Sequence, residues 1–177
     1  MKRIITVLSL AAFGLGACEK VDKLTQFTVT DRTELKIEAG AATLLPYDLY
    51  TPPVYSEASR ELTFNNTKAE MLESVKLQEF RMVITQPFGR SWDFLKDIEV
   101  FIDADQLPET KIAFETEITD QINATLLLKT ADVQLTDYLK KGTYIIKTRL
   151  TTDKLITDDL DVSITTKFAV DAKVLGL

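Results

Sequence analysis

Val162-Ser163-Ile164-Thr165-Thr166-Lys167-Phe168-Ala169-Val170-Asp171-Ala172-Lys173-Val174 is the run that decides the fold class. Val162, Ile164, Phe168, Val170, Ala172 and Val174 fall on every second position, with Thr166 on the same face. Successive side chains of an extended chain point to opposite sides, so this spacing buries one face and wets the other. A helix would scatter the same residues around its axis.

Working back from this run, the period of two persists. Tyr144, Ile146 and Leu150 make another long strand, and Leu126 with Leu128 and Ile112 with Phe114 make shorter ones. Ile98, Val100 and Ile102 face one way and Phe101 the other; Phe80, Met82 and Ile84 lead into Pro87. Leu62 and Phe64 continue the pattern, Leu45, Tyr47 and Leu49 end at Pro52-Pro53, and Leu35 and Ile37 end at Gly40. Phe27 and Val29 alternate with threonines at the start. Roughly nine strands at spacings of about 10–15 residues predict one all-β, antiparallel β-sandwich.

Short helical turns interrupt the strands. Thr67-Lys68-Ala69-Glu70 reads as a capping box opening a turn through Met71 and Leu72. Ser91-Trp92-Asp93-Phe94-Leu95-Lys96 reads as a Ser-capped turn. The turn Leu135–Lys141 has cations in its last residues and Gly142 just past its end. None is long enough to serve as the crossover of a parallel sheet, which excludes an α/β layout.

The N-terminal seventeen residues have a different character. Lys2 and Arg3 precede the apolar stretch Ile4–Phe13, which falls short of the about 20 residues a spanning helix needs. It closes on Leu15-Gly16-Ala17-Cys18, which resembles the lipobox recognised by bacterial lipoprotein signal peptidase. Small residues beside the cut fit a narrow protease cleft, and the thiol of Cys18 is the nucleophile that accepts the lipid. The resemblance implies cleavage before Cys18, a diacylglycerol on its sulfur and an acyl chain on its new amino group. Anchoring through several acyl chains is stable at about 0.8 kcal/mol per buried CH₂. The expected organisation is a signal peptide over 1–17, the lipidated Cys18 with a polar tether over 18–25, and one β-sandwich domain over 26–177.

Strand order, the turn Trp92-Asp93-Phe94-Leu95-Lys96-Asp97-Ile98 feeding a strand, and the run Ser163–Ala172 carry a second resemblance. They are similar to a group of uncharacterised Gram-negative lipoproteins with immunoglobulin-like sandwiches and, more distantly, to the water-stress sandwich. This implies an immunoglobulin-like fold and brings no catalytic residues with it.

Composition excludes several chemistries. The sequence contains no histidine, which removes Ser-His-Asp and Cys-His catalysis, imidazole bases and the usual zinc sites. Cys18 is the only cysteine, so the mature chain has neither disulfide nor free thiolate once it is lipidated. Four glycines remain after processing (Gly40, Gly89, Gly142, Gly176), too few and too scattered for a phosphate loop. Removing Lys2 and Arg3 leaves 19 basic residues against 27 acidic ones, a net charge of −8 that argues against nucleic-acid partners.

Three sets of residues are candidates for a site. Asp103 and Asp105, about 7 Å apart on one side of an extended chain, match the spacing of a glycosidase pair, but their setting, Asp103–Pro108, has the composition of a hairpin turn. As an EF-hand this stretch fails, with Pro108 at its sixth position and Phe114 at its twelfth. Asp158 and Asp159, in the acidic stretch from Asp153 to Asp161, are with Asp103 and Asp105 the calcium candidates, but a solvated acidic loop is the simpler account of that stretch. Gln86–Phe94 holds Phe88, Arg90, Trp92 and Phe94, residue types enriched at binding hot spots. It is either a partner-binding tip or a plug in which Trp92, Phe94 and Leu95 close the end of the core.

Taken together, the sequence leads us to expect a non-enzymatic, lipid-anchored envelope protein of interaction or structural type, without cofactor or resident metal. Its expected contacts are the membrane, through Cys18, and a protein partner in the envelope, with the outer membrane as its place. A carbohydrate- or small-ligand-binding lipoprotein is the alternative, and a hydrolase built on paired carboxylates comes third.

Overall fold

The structure is a computed structural model that describes residues 26–40, 44–64, 71–118 and 123–173. The expected signal peptide with Leu15-Gly16-Ala17-Cys18, the expected tether, the capping box Thr67–Glu70 and Val174 lie outside the described residues.

Nine antiparallel strands form the body, so the all-β expectation holds. They are β1 (Gln26–Ile37), β2 (Tyr47–Tyr50), β3 (Val54–Tyr55), β4 (Leu72–Gln86), β5 (Leu95–Asp103), β6 (Thr110–Glu115), β7 (Thr125–Thr130), β8 (Thr143–Thr152) and β9 (Leu160–Ala172). Two helices, α1 (Glu57–Phe64) and α2 (Thr136–Lys140), complete the described elements. No helix among the described residues is long and apolar enough to cross a membrane.

The strands hydrogen-bond in the order β1-β9-β4-β7-β6-β5-β8-β2, with β3 on β8 beyond β2. The sheet curls so that its two halves enclose one core. β7 joins them: Thr125–Leu128 pair with β4, whereas Lys129 and Thr130 pair with β6. Tyr144 of β8 meets Phe168 of β9 edge-on at 6.3 Å between ring centres, a contact across the core. The run that opened the sequence reading is β9, paired on one side with β1 through twelve positions without a bulge and on the other with β4. Val162, Ile164, Thr166, Phe168, Val170 and Ala172 are all buried, as their period requires.

Several local expectations are corrected. Leu62 and Phe64 belong to α1 rather than to a strand. Glu57 lies in the first turn of this helix, where a carboxylate complements the dipole, and pairs with Arg60 at 2.8 Å. Its cap comes from far away: Asp31 of β1 accepts the Glu57 N–H at 2.9 Å. Leu72 opens β4 instead of continuing a turn. Ser91–Lys96 is a turn closed by Leu95 N–H to Trp92 C=O, in which the Ser91 hydroxyl binds the Asp93 carboxylate at 3.2 Å.

Other local readings stand. α2 ends at Gly142, whose φ of 76° is the left-handed conformation that glycine adopts without strain. Pro52-Pro53 ends β2, and the Thr51 hydroxyl accepts the Ile146 N–H at 3.2 Å where the ladder would otherwise break. Asp103–Pro108 joins β5 to β6 by a turn from Leu107 N–H to Ala104 C=O.

Candidate functional site

The up-and-down course of the strands collects the loops at two ends. The start of β1, the segment from β2 to β4, the β5–β6 turn and α2 lie at one end. The loops β1–β2, β4–β5, β6–β7 and β8–β9 lie at the other, as the pairings Ile37–Leu160, Gln86–Asp161, Leu95–Thr152, Ile98–Glu115 and Val83–Thr125 require.

Hydrogen bonds lace this second end together. Gly40 N–H reaches Ile156 C=O at 2.9 Å, Leu44 N–H reaches Thr152 C=O at 2.7 Å, and Asp153 N–H reaches Phe94 C=O at 3.0 Å. Ala39 N–H donates to the Asp159 carboxylate at 2.9 Å. Arg90 pairs with Asp158 at 3.4 Å and Lys154 with Asp93 at 3.6 Å.

The four residues singled out in Gln86–Phe94 divide. Trp92 is fully buried, donates its indole N–H to Ala124 C=O at 2.8 Å, and lies 5.8 Å from the ring of Phe94, which is buried as well. These two, with Leu95, plug the core between the β4–β5 and β6–β7 loops, so of the two readings of this stretch the plug holds, and Trp92 and Phe94 are withdrawn from the binding tip. Arg90 is half-buried. Phe88 is 88% exposed and is the one aromatic of the set that a partner can touch. A sugar-stacking platform from this loop therefore loses two of its three rings.

Phe88 does not stand alone. Leu44 (65% exposed), Leu45 (64%) and Leu155 (60%) project from the loops laced to it. Leu44 holds φ at 64°, a conformation that costs a side-chain-bearing residue about 1–2 kcal/mol, fixed here by its bond to Thr152. A strained, bulky apolar residue turned to solvent is a pointer to function rather than to packing. The sequence reading missed these leucines. Leu45 was placed in a strand by its spacing from Tyr47 and Leu49, although the strand starts only at Tyr47. The available signal was a Leu-Leu pair before Pro46, and Leu155 beside Ile156 among Asp153, Lys154 and Asp158.

The acidic candidates do not converge. Asp103 and Asp105 lie at the opposite end from Asp158 and Asp159. Asp159 accepts from the Ala39 N–H at 2.9 Å and pairs with Lys36 at 2.8 Å, which together lower its pKa. Asp158 accepts from Thr157 at 2.9 Å and faces Arg90. Among the described residues no three potential metal ligands come together.

Asp31 is a buried carboxyl whose pKa is raised by loss of solvent, against the pull of the Glu57 N–H and the Tyr144 hydroxyl at 2.8 Å. Burial likewise raises the Tyr144 phenol well above its ordinary range and the Tyr47 phenol to about 12. Asp31 is sealed between β1, β8 and α1 rather than set in a cleft, so it acts as a structural pin. Two shallow grooves among the described residues lie along strands, one of about 370 Å³ along Phe27, Lys76 and Val170, the other of about 460 Å³ along Leu35, Tyr50 and Val162.

No family model matches this chain. No curated protein matches it either. Among solved structures, Cocksfoot mottle virus aligns with 98% of this chain and 95% of its own at 11% identity and a TM-score of 0.29. The empty head of Turnip yellow mosaic virus aligns with 98% and 92% at 10% identity and a TM-score of 0.30. Desmodium yellow mottle tymovirus aligns with 98% and 99% at 8% identity and a TM-score of 0.29. Likenesses at these TM-scores carry no argument about what this protein does.

Proposed function

We propose that this chain is a lipid-anchored protein of the bacterial envelope that works without catalysis, by holding a protein partner at the loop end away from the membrane. Its lipid would sit on Cys18 after cleavage behind Leu15-Gly16-Ala17, and its place would be the outer membrane, on the periplasmic or the surface side. The domain is read as an immunoglobulin-like sandwich, a reading supported by two sheet halves facing across one core and by β7 passing between them.

One observation carries the functional reading. β1 begins at Gln26, next to the tether, and runs twelve residues to the loop end, where Leu44, Leu45, Phe88 and Leu155 are exposed. An anchor at one pole and an apolar surface at the other suit a protein that presents a contact at a fixed height, about 40 Å from its first strand residue. The lack of histidine and the sealed position of Asp31 support a non-catalytic role.

The test is to express the full chain in a Gram-negative host beside Cys18→Ser. The anchored form should fractionate with membranes and the variant should be released. A photo-reactive residue at position 88 or 155 should crosslink one protein reproducibly, and the same residue at Arg32, on the outer face of β1, should not. Equal crosslinking at all three positions, or none at 88 and 155, sinks the reading.

A further inference from the structure

We infer that the partner of the loop end is a protein segment in which apolar residues are flanked by lysine or arginine. The inference rests on the partner-binding reading above and names the chemistry of that site.

The apolar part follows from Leu44, Leu45, Phe88 and Leu155, which only an apolar counterpart would take out of water favourably. The basic part follows from the surrounding charge. Within the described loop residues 38–40, 44–46, 87–94, 116–118 and 153–159, six are acidic and two basic. Both basic residues are already engaged, Arg90 by Asp158 and Lys154 by Asp93. Glu117 and Asp153 are exposed and make no ion pair among the described residues. Leu155 is two residues from Asp153 and three from Asp158, so a partner seated on it brings its own charges beside those carboxylates. A basic rim is then attracted and an acidic rim repelled, which selects partners and speeds encounter. The same field disfavours an anionic lipid surface. It also disfavours a second copy of this chain, whose loop end carries the same excess of acid.

The experiment uses the full-length, lipidated chain in detergent, challenged with a phage-displayed library of random 12-residue peptides. Selection is repeated against a chain carrying Leu44→Ser, Leu45→Ser, Phe88→Ser and Leu155→Ser. The expected peptides combine leucine or aromatic residues with a net positive charge, and bind the fourfold variant at least about tenfold more weakly. Asp153→Asn with Glu117→Gln keeps every apolar residue in place. This pair should weaken the same peptides about three- to tenfold and flatten their salt dependence. Unchanged emission from Trp92 verifies that each variant is folded.

Tip-dependent peptides of neutral or acidic character would overturn the inference and leave the partner-binding reading standing. Peptides indifferent to the four serines, or no enrichment, would overturn both. Sedimentation showing a dimer that the fourfold variant loses would make a second copy the occupant. Quenching of Phe88→Trp by brominated phosphatidylcholine in proteoliposomes would make it lipid. Either result overturns the basic segment.

Discussion

At the scale of single residues, Asp31 shows how position governs chemistry. Its carboxylate lies between the Glu57 N–H and the Tyr144 hydroxyl, out of contact with water. Because burial raises its pKa in the folded chain, the folded state holds the proton more tightly than the unfolded state does. Stability from this group is therefore fully present below the unfolded value near 3.8 and is lost as pH rises through the folded value. Asp31→Asn should gain on the parent in melting temperature as pH is raised from about 4 to 8; a constant difference would show that the raised pKa is not expressed. Tyr144→Phe withdraws one of the two donors and should cost about 1–3 kcal/mol in urea unfolding at pH 7. Trp92 makes a contrasting case. Iodide should barely quench its emission, and Trp92→Ala should cost about 3–5 kcal/mol by the same measurement. The sequence offered the plug of Trp92 and Phe94 beside the binding tip, but the composition of Gln86–Phe94 could not choose between them, since Phe88, Trp92 and Phe94 are all aromatic. The decision rests on Ala124, thirty-two positions away, whose carbonyl takes the indole proton.

At the scale of elements, strands were legible wherever one face is buried and the other wet. β9, β8 and β5 announce themselves by period two, as does β4 from Phe80 to Ile84, whereas the first half of β4 falls out of step where its register shifts at Leu72/Ser74 and Leu77/Glu79. Short elements were not. β3 has two residues, too few to carry any period, and α1 depends on a cap supplied by β1. Lys147 of β8 was hidden for a related reason. It sits on the outer face, yet its side chain is only 6% exposed, covered by Glu109, by Asp48 at 3.8 Å and by the ring of Phe101 at 4.5 Å. Glu109→Ala strands this ammonium with its remaining partner, whereas Lys147→Met removes the charge and keeps the packing. Thermal unfolding should find Glu109→Ala the more destabilising of the two, with Lys147→Met within about 1 kcal/mol of the parent. The reverse order would mean that the ammonium contributes through its charge rather than its stem.

At the scale of the whole molecule, the sequence defines an all-β body, but not which loops share an end. That follows from strand pairing, a property of contacts more than a hundred residues apart such as Gln26 with Asp171. Leu44, Leu45, Phe88 and Leu155 are dispersed in the chain and come to one pole only through it. Because they are exposed, serine at the last three should leave the melting temperature unchanged within experimental scatter. Leu44→Gly should raise stability slightly, by about 1 kcal/mol or less, because it relieves the left-handed strain. A variant that is more stable and binds the partner less well would mark Leu44 as a residue kept for contact at the expense of folding.

The long unbroken pairing of β1 with β9 has a mechanical consequence. A pull between Gln26 and the loop after Ile37 runs along the axis of β1 itself, so the twelve cross-strand positions are strained together, in shear, instead of parting one after another. Unzipping would need a force at right angles to the strand, which a load between the two poles does not supply. Tension along that line meets the domain in its stiffest direction.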